Sequence, residues 1–192
     1  MNCKVIHSTP YGNSVILWTA ADGNPVITRV LLSNTGYSAT DQLNVHFPES
    51  IKTSCSFIDD VASRMIGFLE GAPVSFTLDL VKMSLCAKFQ QSVLRAEHQI
   101  PRSSISTYRL IAGYLGDPNK ARAVGNALAN NPFPIIIPCH RAIRSDGQTG
   151  GYQGGSQMKR KLLEIEGIKF DKNGCVSGAM VHFATATPTQ NF

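Results

Sequence analysis

Long apolar runs are missing from this sequence. None approaches the roughly 20 residues needed to cross a bilayer, which argues against a membrane-spanning helix, and no membrane partner is expected. The opening MNCKVIHST has no apolar segment of about 7 to 15 residues, so no secretory leader is expected. The protein is therefore expected inside the cell, in the cytoplasm of a prokaryote or the nucleus of a eukaryote. Paired cysteines are missing as well: Cys3, Cys55, Cys86, Cys139 and Cys175 are scattered, odd in number and form no CxxC. Neither a disulfide framework nor a compact zinc motif follows from that pattern, and at least one thiol must be free. There is no GxxxxGK[ST] stretch, so phosphate cradling of the nucleotide-hydrolase kind is unsupported. Acidic residues are outnumbered, 13 against 18 Lys and Arg, giving a net charge of +5.

A chain of 192 residues that is 43% hydrophobic can bury a real core as one domain or two small ones. The placement of the charge is more informative than its sum. From Arg95 to Lys169 there are eleven basic and five acidic residues, a net of +6, while the remainder nets -1. Such a concentrated surplus fits either a surface that faces phosphates or an ordinary solvated face.

The first third reads as strands. CKVIHS, SVILWTA and PVITRVLL are short, β-branched and separated by turn-rich PYGN and ADGNP, which predicts a small antiparallel sheet. Ser56 to Asp59 has the form of a capping box with Asp in place of Glu. It predicts a helix with Ile58, Val61, Ala62, Met65, Ile66 and Leu69 on one face, ending near Gly71. VSFTLDL, residues 74–80, alternates as a returning strand. The period changes at residue 84, where SLCAKFQQSVLRAEHQ predicts a helix with Leu85, Phe89, Val93 and Leu94 on one face. Ser106 is the expected N-cap of TYRLIAGYL, and Gly116-Asp117-Pro118 supplies stop, cap and first helical position for NKARAVGNALAN. Two short helices joined by a glycine turn have the form either of an ordinary helical hairpin, common in proteins that never meet DNA, or of a helix-turn-helix. Its second helix would present Lys120, Arg122 and the small residues Ala121, Ala123, Gly125 and Ala127 to a nucleic-acid backbone.

The segment from Asn131 to Arg141, NPFPIIIPCHR, reads as a buried strand of three isoleucines that delivers a Cys-His pair. A thiol attacks only as its thiolate, and a neighbouring histidine with Arg141 and Arg144 nearby would favour that form. Adjacent residues of an extended chain face opposite sides, so a water or a local turn would have to connect Cys139 to His140. The glycine-rich loop SDGQTGGYQGG, with Tyr152, can fold around a planar ligand. MKRKLLEIEG predicts a last helix that carries Glu164 and Glu166, one of which could fix a histidine tautomer.

In combination, STYRLIAGYLGDPNKARAVGNALANNPFPIIIPCHRAIRSDGQTGGYQGG closely resembles the active-site half of the O6-alkylguanine-DNA alkyltransferases, the methylated-DNA-protein-cysteine methyltransferases. The likeness runs from about Leu85 to Gly167. It implies an α/β (α+β) fold: a ribonuclease-H-like α/β domain over residues 1–82, a mostly helical winged-helix or helix-turn-helix domain over 83–170, and a tail over 171–192. It also implies a DNA-repair enzyme, expected as a monomer, that binds duplex DNA by the minor groove and rotates an O6-alkylguanine out of the stack. The alkyl group, or one from O4-alkylthymine, would pass irreversibly and once per molecule to Cys139. His140 would take the thiol proton through water and Glu166 would orient the imidazole. The resemblance places Tyr108 in rotation and binding of the nucleotide, Arg122 in the vacated stack, Asn131 at the turn before the active-site segment, and Tyr152 at the wall of the alkyl pocket. Ala121, Ala123, Gly125 and Arg141 complete the expected DNA and substrate contacts. The chemistry requires no cofactor, and no metal is expected, since Cys3 and His7 do not make a full ligand set. Leu94 stands where the family commonly has tryptophan, and Ser103 where it commonly has glycine.

Two other readings compete. Alkyltransferase-like binding modules share the fold but lack the cysteine, which is present here. A cysteine hydrolase or redox protein would need an oxyanion site or a resolving cysteine, and neither is visible near Cys139.

Overall fold

The turn-separated β-branched segments form β1 (Asn2–Thr9), β2 (Gly12–Ala21) and β3 (Asn24–Leu32), paired antiparallel in sequence. The computed structural model describes residues 1–21 and 23–184. Asp22 and the last part of the expected tail, 185–192, lie outside the described residues. Gly12 turns the first hairpin at φ +86°, a conformation that side-chain-bearing residues rarely adopt. A helix that the sequence pattern does not predict follows, α1 (Ala39–His46), capped by the Ser38 hydroxyl, which accepts from the Asp41 N–H. Its Ala39 and Leu43 pack with Cys3, Val15, Leu17 and Leu31 of the sheet. β4 (Ile51–Lys52) then joins β1 in parallel, giving the order β3-β2-β1-β4.

Helix α2 (Ser56–Leu69) buries Ile58, Val61, Ala62, Met65, Phe68 and Leu69. The expected capping box is not formed. Cys55 is the N-cap with no side-chain bond, Ser56 already lies inside the helix, and Ser54 holds Asp59 instead. Nor is 74–80 a strand. It ends in a 3-10 turn at Leu78–Leu80, just beyond which Val81 bridges Ile27 of β3. Without a ladder of partner groups, alternation alone does not make a strand.

The chain divides into two compact units: residues 1–85, 132–136 and 153–155 form one, and the remainder forms the other. In the second unit, α3 (Lys88–His98) begins later than the spacing suggests. Leu85 lies in a preceding 3-10 turn and is exposed, and Phe89 is also exposed, so the buried face is Val93, Leu94, Ala96 and Glu97. β5 (Ser104–Thr107) leads into α4 (Tyr108–Tyr114), whose cap is Thr107 accepting from the Leu110 N–H. Ser106, the expected cap, belongs to the strand. Gly116 at φ +99° and Asp117, which caps a turn starting at Pro118, lead into α5 (Ala121–Ala129). β6 (Ala142–Ile143), α6 (Gly155–Ile165), β7 (Lys169–Phe170), β8 (Val176–Ser177) and β9 (Met180–Val181) complete the described elements. β5 pairs in parallel with β6 and β9, and β7 with β8 as a hairpin. Thus residues 171–184 of the expected tail contribute strands. Ile105, Ile143, Leu163 and Ile168 pack with Val176 and Ala179. The fold is mixed α/β, with the sheet-rich layer first and the mainly helical part after it. No described helix is long and apolar enough to cross a membrane.

Candidate active site

The residues before Cys139 are buried but do not form the strand that their composition suggests. Pro132, Pro134 and Pro138 supply no N–H to a ladder, and Ile135 turns at φ +73°. The chain then tightens into a 3-10 turn, Cys139–Arg141. The turn leaves Cys139 6% exposed. Asn131, itself buried, donates through Nδ2 to Cys139 Sγ at 3.1 Å and to the Ile137 carbonyl at 3.1 Å. One carboxamide therefore both braces the turn and touches the thiol.

Behind the cysteine lies a buried charge cluster. His140 Nε2 meets Glu166 Oε1 at 3.0 Å. Arg141 grips the same carboxylate from Nε to Oε2 at 2.9 Å and from Nη2 to Oε1 at 2.8 Å, while Nη1 donates to the Ile100 carbonyl at 2.6 Å. Bidentate geometry of this kind is the strong form of an ion pair. The family resemblance puts Arg141 among the DNA and substrate contacts. Its guanidinium instead faces inward and is 8% exposed, because a buried carboxylate at Glu166 needs a charged partner. Burial alone would raise the Glu166 pKa, but the hydrogen bonds and charges of His140 and Arg141 prevail and hold it down to about 2. Burial lowers the His140 pKa, with Glu166 pulling the other way. The Cys139 thiol is pushed up to about 11 by burial, against the Asn131 hydrogen bond. The resting sulfur is thus a neutral thiol, and nucleophilic use requires removal of its proton.

Cys139 opens onto a cavity of about 310 Å³ whose walls include Tyr108, Gly125, Leu128, Arg144, Gly150 and Tyr152. Tyr108 is the first residue of α4, and Tyr152 stands edge-on to the His140 ring at 6.3 Å. On α5, a Cβ added at Gly125 would meet nothing nearer than the Tyr108 ring, 4.0 Å away. Ala121 is half-buried on the same helix, and Arg122 and Ala123 are exposed outside the cavity. Glu164 takes no part, being ion-paired on the surface with Arg160 and Lys161.

Two further site residues, Lys159 and Glu97, are not among those that the sequence motifs point to, and both are fully buried. Lys159 Nζ donates to the Ala142 carbonyl at 2.7 Å, the Gly151 carbonyl at 3.3 Å and Tyr108 Oη at 3.4 Å. A signal for them does exist: Lys159 shares the helical face of Met158, Leu162 and Leu163, and Glu97 that of Val93 and Leu94. Of the eleven basic residues between Arg95 and Lys169, Arg141 and Lys159 lie inside, as do Glu97 and Glu166 of the five acidic ones. Two of each sign leave the surface, so its excess of +6 is undiminished.

A buried thiol on a pocket wall, backed by a histidine and carboxylate and preceded by two short helices joined at a glycine turn, defines a cysteine-bearing helical domain. The family model described as the DNA binding domain of 6-O-methylguanine DNA methyltransferase matches residues 88–168. Methylated-DNA--protein-cysteine methyltransferases of Methanothermobacter thermautotrophicus and Methanosarcina acetivorans are 45% and 35% identical to this chain over 104 and 123 residues. Those stretches cover 54% and 64% of this chain, and 58% and 78% of the respective relatives. The Mycobacterium tuberculosis OGT solved in complex with DNA superposes with a TM-score of 0.69 at 29% identity, over 86% of this chain and 92% of that one. O6-methylguanine-DNA methyltransferase from Pyrococcus kodakaraensis gives 0.64 at 25% identity, over 86% and 99%. The chain belongs to the methylated-DNA–protein-cysteine methyltransferase family.

Proposed function

We propose that this protein repairs duplex DNA by moving the alkyl group of O6-alkylguanine, and of O4-alkylthymine, onto Cys139. The observation that carries the reading is Cys139 on the wall of a pocket, with the His140–Glu166 pair at its back. An O6-alkyl carbon within the stack is out of reach of a protein sulfur, whereas a rotated base can enter a pocket of this size. Water relays the thiol proton to His140, whose imidazole Glu166 orients. The sulfur then forms a bond to the alkyl carbon as the carbon–O6 bond breaks. Its electron pair leaves with the guanine, which takes up a proton. Tyr108 and Tyr152 hold the base and its substituent, and Asn131 steadies the developing thiolate. The exposed surplus on the helix-turn-helix meets the phosphates from the minor groove, and Ala121, Ala123 and Gly125 allow close approach. A thioether is a poor leaving group, so each monomer acts once.

The reading is tested by intact mass and peptide mapping after incubation with excess duplex containing O6-methylguanine. One methyl per chain at Cys139, saturating at one equivalent, is expected. Lesion binding with unchanged mass would instead make the protein a recognition module.

Arg122, exposed on α5, fills the space left by the rotated base with a planar guanidinium. Arg122→Ala is therefore expected to slow transfer from duplex DNA by about tenfold or more, corresponding to at least part of the few kcal/mol of unstacking. Reaction with free O6-benzylguanine should be far less affected, and equal losses on both substrates would refute the role.

Gly150 sits at φ +72°, where an added Cβ would lie 2.8 Å from Tyr108 Oη. Gly150→Ala is expected to cost about 1 to 2 kcal/mol of stability, read by denaturant unfolding. Because the new methyl occupies the pocket beside Tyr108, transfer of a benzyl group should suffer more than transfer of a methyl group.

A further inference from the structure

The transfer step above makes no use of Glu97, although its charge reaches both Cys139 and Tyr108. The side chain is 0% exposed, and neither carboxyl oxygen meets a donor at hydrogen-bonding geometry among the described residues. The Ala142 N–H is near enough to favour the anion without completing a bond. The cations close by are already engaged. Lys159 directs its ammonium at two carbonyls and Tyr108, and Arg141 directs Nε, Nη1 and Nη2 at Glu166 and Ile100. An ionised carboxylate buried without a donor is costly, so the neutral acid is the resting form.

We infer that Glu97 is a positioning residue for the reaction at Cys139: as a neutral acid it leaves the positive field of Lys159 unopposed at the thiol, and on ionising it cancels that field. The inference rests on the proposed transfer reaction. Elements facing α3 bring these titratable or charged groups: Tyr108, Arg109 and Tyr114 from α4, Arg122 from α5, and Cys139, His140 and Arg141 from the 3-10 turn. Lys159 comes from α6, and α3 itself carries Lys88, Arg95 and His98. Of these, Lys159 and Arg141 favour the Glu97 anion, but burial outweighs them and raises its pKa to about 8. Below that pH the carboxyl keeps its proton. Above it, the anion stands against formation of a second anion at Cys139, whose own pKa burial has pushed up to about 11. Burial brings Lys159 down to about 8, so loss of a proton from either member removes one positive charge from the pair. With glutamine at position 97 the site is never less positive than in wild type, and is more so only where Glu97 would be ionised.

The test compares wild type, Glu97→Gln and Glu97→Leu in single-turnover methyl transfer from an O6-methylguanine duplex at about pH 6.5 and about pH 9. The ratio of the alkaline to the neutral rate is expected to be about 3- to 10-fold greater in both variants than in wild type. Equal ratios would overturn the inference, since a purely structural Glu97, or one ionised throughout, changes both rates alike. Ultraviolet titration of the Cys139 thiolate, with Cys139→Ala as blank, should give a pKa lower by about half a unit to one unit in Glu97→Gln. That readout needs no alkyl transfer. Failure of wild type and both variants alike to take up methyl would therefore sink the proposed function, whereas an unshifted thiolate titration would sink the role of Glu97. In wild type itself, the infrared band of a protonated carboxyl should disappear between the same two pH values, and its absence at the lower one would refute the neutral form independently of any variant.

Discussion

Glu166→Ala is expected to destabilise the fold by about 3 to 5 kcal/mol, because it leaves the Arg141 guanidinium buried with its two best acceptors gone. The substitution removes the pair of 2.8 and 2.9 Å bonds from Arg141 and the 3.0 Å bond from His140. For a chain of 192 residues that loss corresponds to a melting temperature lower by about 10 °C, measurable by calorimetry. A shift of about 1 °C or less would mean that Arg141 finds another partner and that the carboxylate is not what holds the cluster. The same group predicts acid sensitivity. Its pKa falls from the unfolded value near 4.5 to about 2 on folding. The stabilisation is therefore present above about pH 4.5 and lost as pH drops through about 2, amounting to roughly 3 kcal/mol. His140, whose folded pKa is also lowered, adds a loss of the same sign as pH falls below its unfolded value. Glu166→Gln keeps the shape and one acceptor, so its melting temperature should fall between the two, with a flatter acid limb. It should also slow alkyl uptake, since an amide orients the imidazole less firmly than a carboxylate.

What the sequence made legible follows from the range of the interactions involved. β1, β2 and β3 are set by β-branched runs and tight turns, and the break between α4 and α5 by a glycine stop and a 3-10 turn with an aspartate cap and a proline at its first position, all readable within ten residues. α1 is not readable, because only Ala39 and Leu43 of its eight residues are buried and two residues make no period. The stretch before Cys139 misleads for a related reason: three isoleucines suggest a strand, but the prolines among them deny it a ladder. The inward turn of Arg141 depends on Glu166, 25 residues away, and on a carbonyl 41 residues back. No local pattern encodes such a partner. Lys159 and Glu97 differ again, since each falls on the apolar face of its helix. Charged residues at those positions are what a regional charge count passes over.

Cys139→Ala is expected to abolish methyl uptake altogether while leaving affinity for lesion-bearing duplex within about threefold, since the basic residues proposed to meet the phosphates, such as Arg122, lie outside the cavity that Cys139 lines. The other cysteines offer no substitute: Cys3 and Cys86 are buried and Cys55 and Cys175 half-buried, and none lines the cavity that holds Cys139. Cys139→Ser is the sharper variant. It preserves the turn and offers Asn131 an oxygen to bond, yet a hydroxyl is a far weaker acid than a thiol and a poorer nucleophile at saturated carbon. With the thiol already raised to about 11 by burial, the site depends on removing a proton during attack. Against the still weaker acidity of serine the His140–Glu166 pair should fail, reducing transfer by at least about 10⁴-fold. Lesion binding by either variant combined with unchanged mass is the expected pattern. Methyl found on any other cysteine of Cys139→Ala would remove Cys139 from its place as acceptor. Measurable transfer to the introduced hydroxyl of Cys139→Ser would show that the histidine is a stronger base than its burial implies.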